Sequence, residues 1–169
     1  MNPTFEAYIK RMLAFVGEDD PMDILTEAPA QLSALVTSIG AEVRTRRPDA
    51  RTWSINQIAA HMADTELVSG YRLRMILSLD GVPLQPFNQD HWAETFKYEA
   101  CDALESARLY SAYRHGTLRV LRLADPVRFD HHGKHPERGI ETVHHLLRLY
   151  AGHDRNHLSQ IQQIVEATS

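Results

Sequence analysis

The stretch AGHDRNHLSQI, residues 151–161, sets His153 and His157 four positions apart near the end of an apolar-striped segment. On a helix, two imidazoles at that spacing lie one turn apart on one face, close enough to ligate a single ion. At about 100° per residue, the face centred on His157 also carries Val143, Leu146, Tyr150, Ile161 and Ile164, so both rings fall within the core stripe. A lone histidine on such a face is usually a core residue satisfied by one hydrogen bond. Two in successive turns are harder to bury, because each polar ring left without a partner costs about 1–3 kcal/mol. HDRNH also copies the spacing of the zincin motif H-E-x-x-H, with Asp154 in the position of the general base. That motif needs a third ligand downstream, and in residues 158–169 the sole acidic group is Glu166, on the same helix. The third ligand is therefore expected upstream. Asp154, about 60° from His157, is expected to flank the site or face solvent.

His61 is the best upstream candidate. It lies two turns inside the segment that begins WSINQIAAH, beside the face formed by Ile55, Ile58, Met62 and Ile76, with Gln57, Thr65, Val68 and Arg72 as its own mixed surroundings. His144 and His145 point away from the stripe, His91 and His115 stand alone, and His131, His132 and His135 crowd a turn-like DHHGKHPERG. Three neutral imidazoles with an open coordination position are the pattern of catalytic zinc and also suit nickel. Asp64, one turn beyond His61, is the candidate to orient an imidazole or act as a catalytic base. Tyr150 and Gln160 are candidates to line the pocket.

These residues need helices to position them, and almost every long segment reads at helical period with no sustained alternation of a strand. A short amphipathic segment is expected over about 3–16, then a helix over about 29–44 opened by Pro29. In the next, Ser54 and Gln57 form an S-x-x-Q capping box and Trp53 is placed to staple onto Ile58. That helix is expected to reach about Leu79, where DGVP ends it. A third spans about 89–123, a loop rich in Pro, Gly and His runs from Asp125 to Gly139, and the last helix begins near Thr142 and continues to the end. Four long helices, a short extra one at the N-terminal side and no strands predict an all-α, up-down four-helix bundle in one domain over 1–169.

Composition narrows the function. The formal charge of −4 gives no reason to expect a nucleic-acid partner, and the arginines at 44, 46, 47 and 51 read as a solvated loop. Cys101 is the only cysteine, which removes intramolecular disulfides and cysteine-based metal sites. No run approaches the roughly 18 apolar residues of a membrane span. MNPTFEAYIKRMLAF lacks the features of a signal peptide, so a cytoplasmic location is expected.

WSINQIAAHMADTE, GKHPERGIETVHHLL and LYAGHDRNHLSQIQQI together resemble the DinB-like (DNA-damage-inducible) superfamily of four-helix-bundle metalloenzymes, which includes bacillithiol- and mycothiol-dependent transferases. The resemblance places the family's metal triad on His61, His153 and His157. It implies a divalent ion such as zinc or nickel, a small-molecule substrate and a homodimer formed through helix packing. It also raises a low-molecular-weight thiol as a cosubstrate. Thiol-transferase members often read WHGKHH around the last motif, where this chain reads AGHDRNH. The expected function is a metal-dependent enzyme in which the ion activates water or a small thiol for hydrolysis or S-transfer. The competing expectation is a metal-binding or stress-response bundle without turnover.

Overall fold

A computed structural model describes residues 5–49 and 51–167. The first two positions of the expected 3–16 segment and the last two of the final helix lie outside them. The helices are α1 (Phe5–Val16), α2 (Pro21–Ser38), α3 (Ala41–Thr45), α4 (Ile55–Ser78), α5 (Gln89–Thr95), α6 (Ala103–Leu123) and α7 (Val143–Glu166). Short 3₁₀ turns stand at Tyr98–Ala100 and Pro126–Asp130. Three strands, β1 (Val82–Pro83), β2 (His132–His135) and β3 (Gly139–Thr142), form a small sheet in the order β1-β2-β3.

The bundle expected from the periodicity is formed by α2, α4, α6 and α7. Ile24, Leu25, Leu73, Ile76, Leu118, Leu121 and Leu146 share one core cluster, and Leu32, Val36, Ile55, Ile58, Ala107, Ile161 and Ile164 share another at the opposite end. That division fixes the directions: α2 and α7 run one way, α4 and α6 the other. The Asn56 side chain accepts the N–H of Ala103 at 3.1 Å, tying the first turn of α4 to the first turn of α6. Because α4 and α6 are parallel, a departure from the strict up-down order within the four-helix bundle, the chain between them must travel back along the bundle, which is the work of residues 79–102.

Three expectations are corrected. The segment expected as one helix over 89–123 is broken: α5 ends at Thr95, Lys97 takes a left-handed φ of 52°, and Asp102 caps a fresh helix by accepting from Leu104 N and Glu105 N. The break tucks Tyr98, 1% exposed, under α4. Strands are present where none was expected. β1 pairs parallel with β2, and β2 pairs antiparallel with β3 around Gly139 at φ 80°. At two to four residues they are too short for alternation to register. Finally, α2 begins at Pro21 rather than near Pro29, with Asp20 Oδ1 accepting Met22 N at 2.8 Å, and it stops at Ser38. Arg44 then caps its end by donating to the carbonyls of Val36 and Ile39.

Pro29 therefore sits inside a helix, where its missing N–H leaves the carbonyl four residues earlier without its helical donor. That carbonyl belongs to Leu25, and Arg114 Nη1 donates to it at 3.0 Å. The same guanidinium pairs with Asp154 of α7 and Glu66 of α4, each at 2.7 Å, and lies over the Tyr110 ring. All three charged side chains are at most 3% exposed. One α6 side chain thus ties together all four helices. Burial works against the charge of Arg114, but Asp154 and Glu66 outweigh it and hold its pKa above the ordinary value. The α1–α7 contact depends on absence of bulk: a Cβ on Gly152 would stand 2.0 Å from the Met12 carbonyl oxygen.

Arg114→Met is expected to destabilise the fold by about 3–5 kcal/mol in urea unfolding, because it leaves two buried carboxylates without their cation. Gly152→Ala is expected to lower the melting temperature by pushing α1 off α7, while Gly40→Ala, where a Cβ meets nothing within 4 Å, leaves it nearly unchanged.

Candidate metal centre

The capping box expected at Ser54 and Gln57 forms in both directions, at 3.0 and 3.3 Å, and starts α4 in the register that aims His61 inward. From the other side, the stripe on α7 presents His153 and His157 in successive turns. The three rings meet. His61 Nε2 stands 3.0 Å from His153 Nε2, which stands 3.1 Å from His157 Nε2, and the three ligand atoms lie within 4.8 Å of one another. The rings are 1%, 7% and 8% exposed.

A hydrogen-bond chain does not account for this arrangement. The Nε2 of His153 carries either a proton or a lone pair, not both, yet it faces two other ring nitrogens. Three nitrogens on a tetrahedral ion at about 2.0–2.1 Å would stand roughly 3.3 Å apart, close to what is seen. The protonation states fit as well. Burial first, then the neighbouring rings, holds His61 well below the ordinary imidazole pKa, and burial together with His153 pushes His157 down to about 3. Neutral imidazoles are the form that ligates. Among the described residues no other His, Cys, Asp or Glu joins the group.

The groups around the rings hold them in place. His157 Nδ1 stands 2.8 Å from Gln160 Oε1, which can only accept, so the ring proton sits on Nδ1 and Nε2 presents its lone pair to the centre. Gln160 is thus next to the site, as expected, and its role is to fix a tautomer. The Thr65 hydroxyl lies 3.4 Å from the nitrogens of His61, and Trp53 packs against that ring at a tilt of 58° with centroids 5.0 Å apart. Trp53 also packs against the cluster that contains Ile58.

Of the two positions expected for Asp154, flanking the site or facing solvent, the structure shows the first: it is 2% exposed. Burial would raise its pKa, but Arg114 and His153 hold it below the ordinary carboxylate value, and one oxygen lies 3.9 Å from His153 Nδ1. It flanks the site while bound to Arg114. Asp64 lies one turn from His61 and accepts the Tyr98 hydroxyl at 2.6 Å, with no ring of the triad as its partner. Burial and this carboxylate raise the Tyr98 pKa, so the tyrosine keeps its proton. Arg114 escaped the sequence reading, although Tyr110, Arg114, Thr117 and Leu121 recur at helical spacing on the buried face of α6, a pattern that marks a charge within a core stripe.

A helical bundle with an inter-helical histidine triad defines a class, and comparison with known proteins agrees. The DinB superfamily model matches residues 24–161, and the chain belongs to that superfamily. One relative, from Halalkalibacterium halodurans, is named "Putative metal-dependent hydrolase BH0277" and is 24% identical over 85% of this chain and 84% of its own. Another, "Putative metal-dependent hydrolase YfiT" from Bacillus subtilis, is 24% identical over 87% of this chain and 83% of its own. The solved structure of YfiT, described as a probable metal-dependent hydrolase with an unusual four-helix bundle topology, superposes with a TM-score of 0.82 at 21% identity. It covers 99% of this chain and 90% of that one. No described helix is long and apolar enough to cross a membrane.

Replacing His61, His153 or His157 by Ala is expected to abolish tight zinc binding in isothermal titration, and Gln160→Ala to weaken it about 10–100-fold by freeing the His157 tautomer. Because the lowered pKa values keep His61 and His157 neutral on the acid side of pH 6.5, protons compete little at these rings. Zinc affinity is expected to fall far less between pH 7 and 6 than the roughly thirtyfold loss of three ordinary imidazoles.

Proposed function

We propose that this chain is a hydrolase dependent on one divalent ion, zinc or nickel, held by His61, His153 and His157. The observation that carries the reading is the meeting of three imidazole Nε2 atoms within 3.0–3.1 Å contacts in a buried setting that keeps His61 and His157 neutral. The names of the relatives support the same reaction class. A cation bound there supplies Lewis acidity and brings the pKa of water toward about 7.

The chain's own residues do the rest. Gln160 holds His157 in its ligating tautomer, and Asp154, anchored by Arg114, sits beside His153 Nδ1. Asp64 is the candidate base. Tyr98 occupies its Oδ2, fixing the carboxylate one turn from His61, and Oδ1 is the oxygen that would take a proton from the nucleophile. Trp53 packs against both His61 and Tyr98, so the ligand and the base share one rigid wall.

A small thiol would be activated at the same position, giving S-transfer. AGHDRNH in place of the WHGKHH of thiol-using relatives favours water. A role without turnover would want the coordination sphere closed by protein, and the triad supplies three ligands.

Protein purified without a nickel column is expected to carry one divalent ion per chain by mass spectrometry and to hydrolyse members of an ester and amide panel. Chelation should abolish the activity and zinc or nickel restore it. Asp64→Asn is expected to lower kcat about 10²–10⁴-fold with metal content unchanged. Turnover that survives chelation would overturn the hydrolytic reading, as would turnover only when a thiol is added.

A further inference from the structure

A second set of buried polar groups lies where the C-terminal half of α4, the start of α7 and the sheet meet, and its charges do not balance. Arg138 and Glu141 form a two-bond pair at 2.6 and 3.0 Å that occupies both carboxylate oxygens. Arg72, 4% exposed, has no ion-pair partner among the described residues. Its Nη2 donates to the Gln85 carbonyl and its Cζ lies 5.9 Å from the Phe87 ring centre, but its Nε–H is buried without an acceptor.

Two more donors share this space. His135 is 3% exposed, and its Nδ1 accepts the Glu137 N–H at 3.2 Å, so the proton of the neutral ring sits on Nε2, which is buried and unpartnered. Burial first, then Arg138, lowers the His135 pKa and favours that neutral ring. The Tyr150 hydroxyl is also buried, with Ser69 donating toward its oxygen and no acceptor for its own proton, and burial raises its pKa so that it stays protonated. Strand register brings His135 to the segment that Arg72 holds: Val82 pairs with Gly133 and Pro83 with Lys134, so His135 follows beside Leu84, the residue before Gln85, whose carbonyl accepts from Arg72. The charges of Arg72, Arg138 and Glu141 all act on both His135 and Tyr150, and with Arg138 and Glu141 paired to each other the charge of Arg72 is the one left over.

Buried donors without acceptors cost about 1–3 kcal/mol each, and a buried cation without a counter-charge costs more. Three buried donors in one neighbourhood and one unbalanced positive charge are the complement of a monoanion. We propose that Arg72, His135 and Tyr150 form a subsite for one carboxylate group, next to the triad. Tyr150 precedes His153 by three residues, about 4.5 Å of rise along α7. Resting on the function proposed above, the substrate is then a small molecule with a carboxylate a short distance from the bond attacked.

Acetate and its uncharged analogue acetamide, titrated calorimetrically into the full chain with and without zinc, test the subsite. Saturable acetate binding is expected in both forms, at least tenfold tighter than acetamide, absent in Arg72→Gln and several-fold weaker in Tyr150→Phe. The tyrosine change removes one hydroxyl and keeps the ring, so it serves even if Arg72→Gln does not fold. Acetate binding seen only with zinc, equal binding of acetamide, or unchanged affinity in folded Tyr150→Phe would overturn the subsite. His153→Ala separates the two readings: it is expected to lose zinc and keep acetate. A wild type that binds acetate but no metal would overturn the metal-dependent function and leave the subsite standing.

Discussion

The guanidinium of Arg114 is the interaction on which the rest of the structure depends. It pairs with Glu66 and Asp154, donates to the Leu25 carbonyl that Pro29 leaves open, and does so at 2% exposure. Taking these charges out of water is costly, and partial satisfaction would be worse than an apolar core. Its partners sit on α2, α4 and α7, so the guanidinium on α6 is satisfied only when all three helices are in place. The network is therefore better understood as setting the register of the bundle than as a source of net stability. Its consequence reaches the metal centre, because Asp154 is adjacent to His153 and Glu66 lies on the helix that carries His61.

The triad itself joins α4 to α7, two antiparallel helices that meet face to face. Each imidazole is held from outside the centre: His157 by Gln160, His61 by Trp53 and Thr65, His153 by the neighbourhood of Asp154. Rings fixed in this way present lone pairs without paying for reorganisation when a ligand arrives. Desolvation, which depresses the pKa of His61 and His157, is what keeps them in the ligating form. Farther along the same groove the polarity reverses. Arg72, His135 and Tyr150 offer donors where the triad offers acceptors.

Much of the site was legible from spacing. His153 and His157 could be placed on a buried face because the apolar stripe of α7 is long and regular, and His61 because a capping box set the register of α4. For Asp154 the two alternatives of flanking the site or facing solvent stayed open, because angular position on a helix says nothing about a buried cation on another helix. Arg114 itself went unread, although its position in the buried stripe of α6 was visible. The break between α5 and α6 was hidden because residues 89–123 keep an approximate helical period while Lys97 and Asp102 interrupt it locally.

By itself, the sequence determined the helical class, the start of α4, and the faces on which three histidines lie, because hydrophobic period and capping chemistry are local properties of the chain. Tertiary structure decided which helices run parallel and how the strands return the chain to the bundle. It also decided which buried charges find partners. Those outcomes rest on contacts between residues as far apart as Glu66, Arg114 and Asp154, and no local pattern encodes which distant group will satisfy a buried one. The same reason explains Arg72: its type was visible from the start, but its lack of a counter-charge exists only once the chain has folded around it.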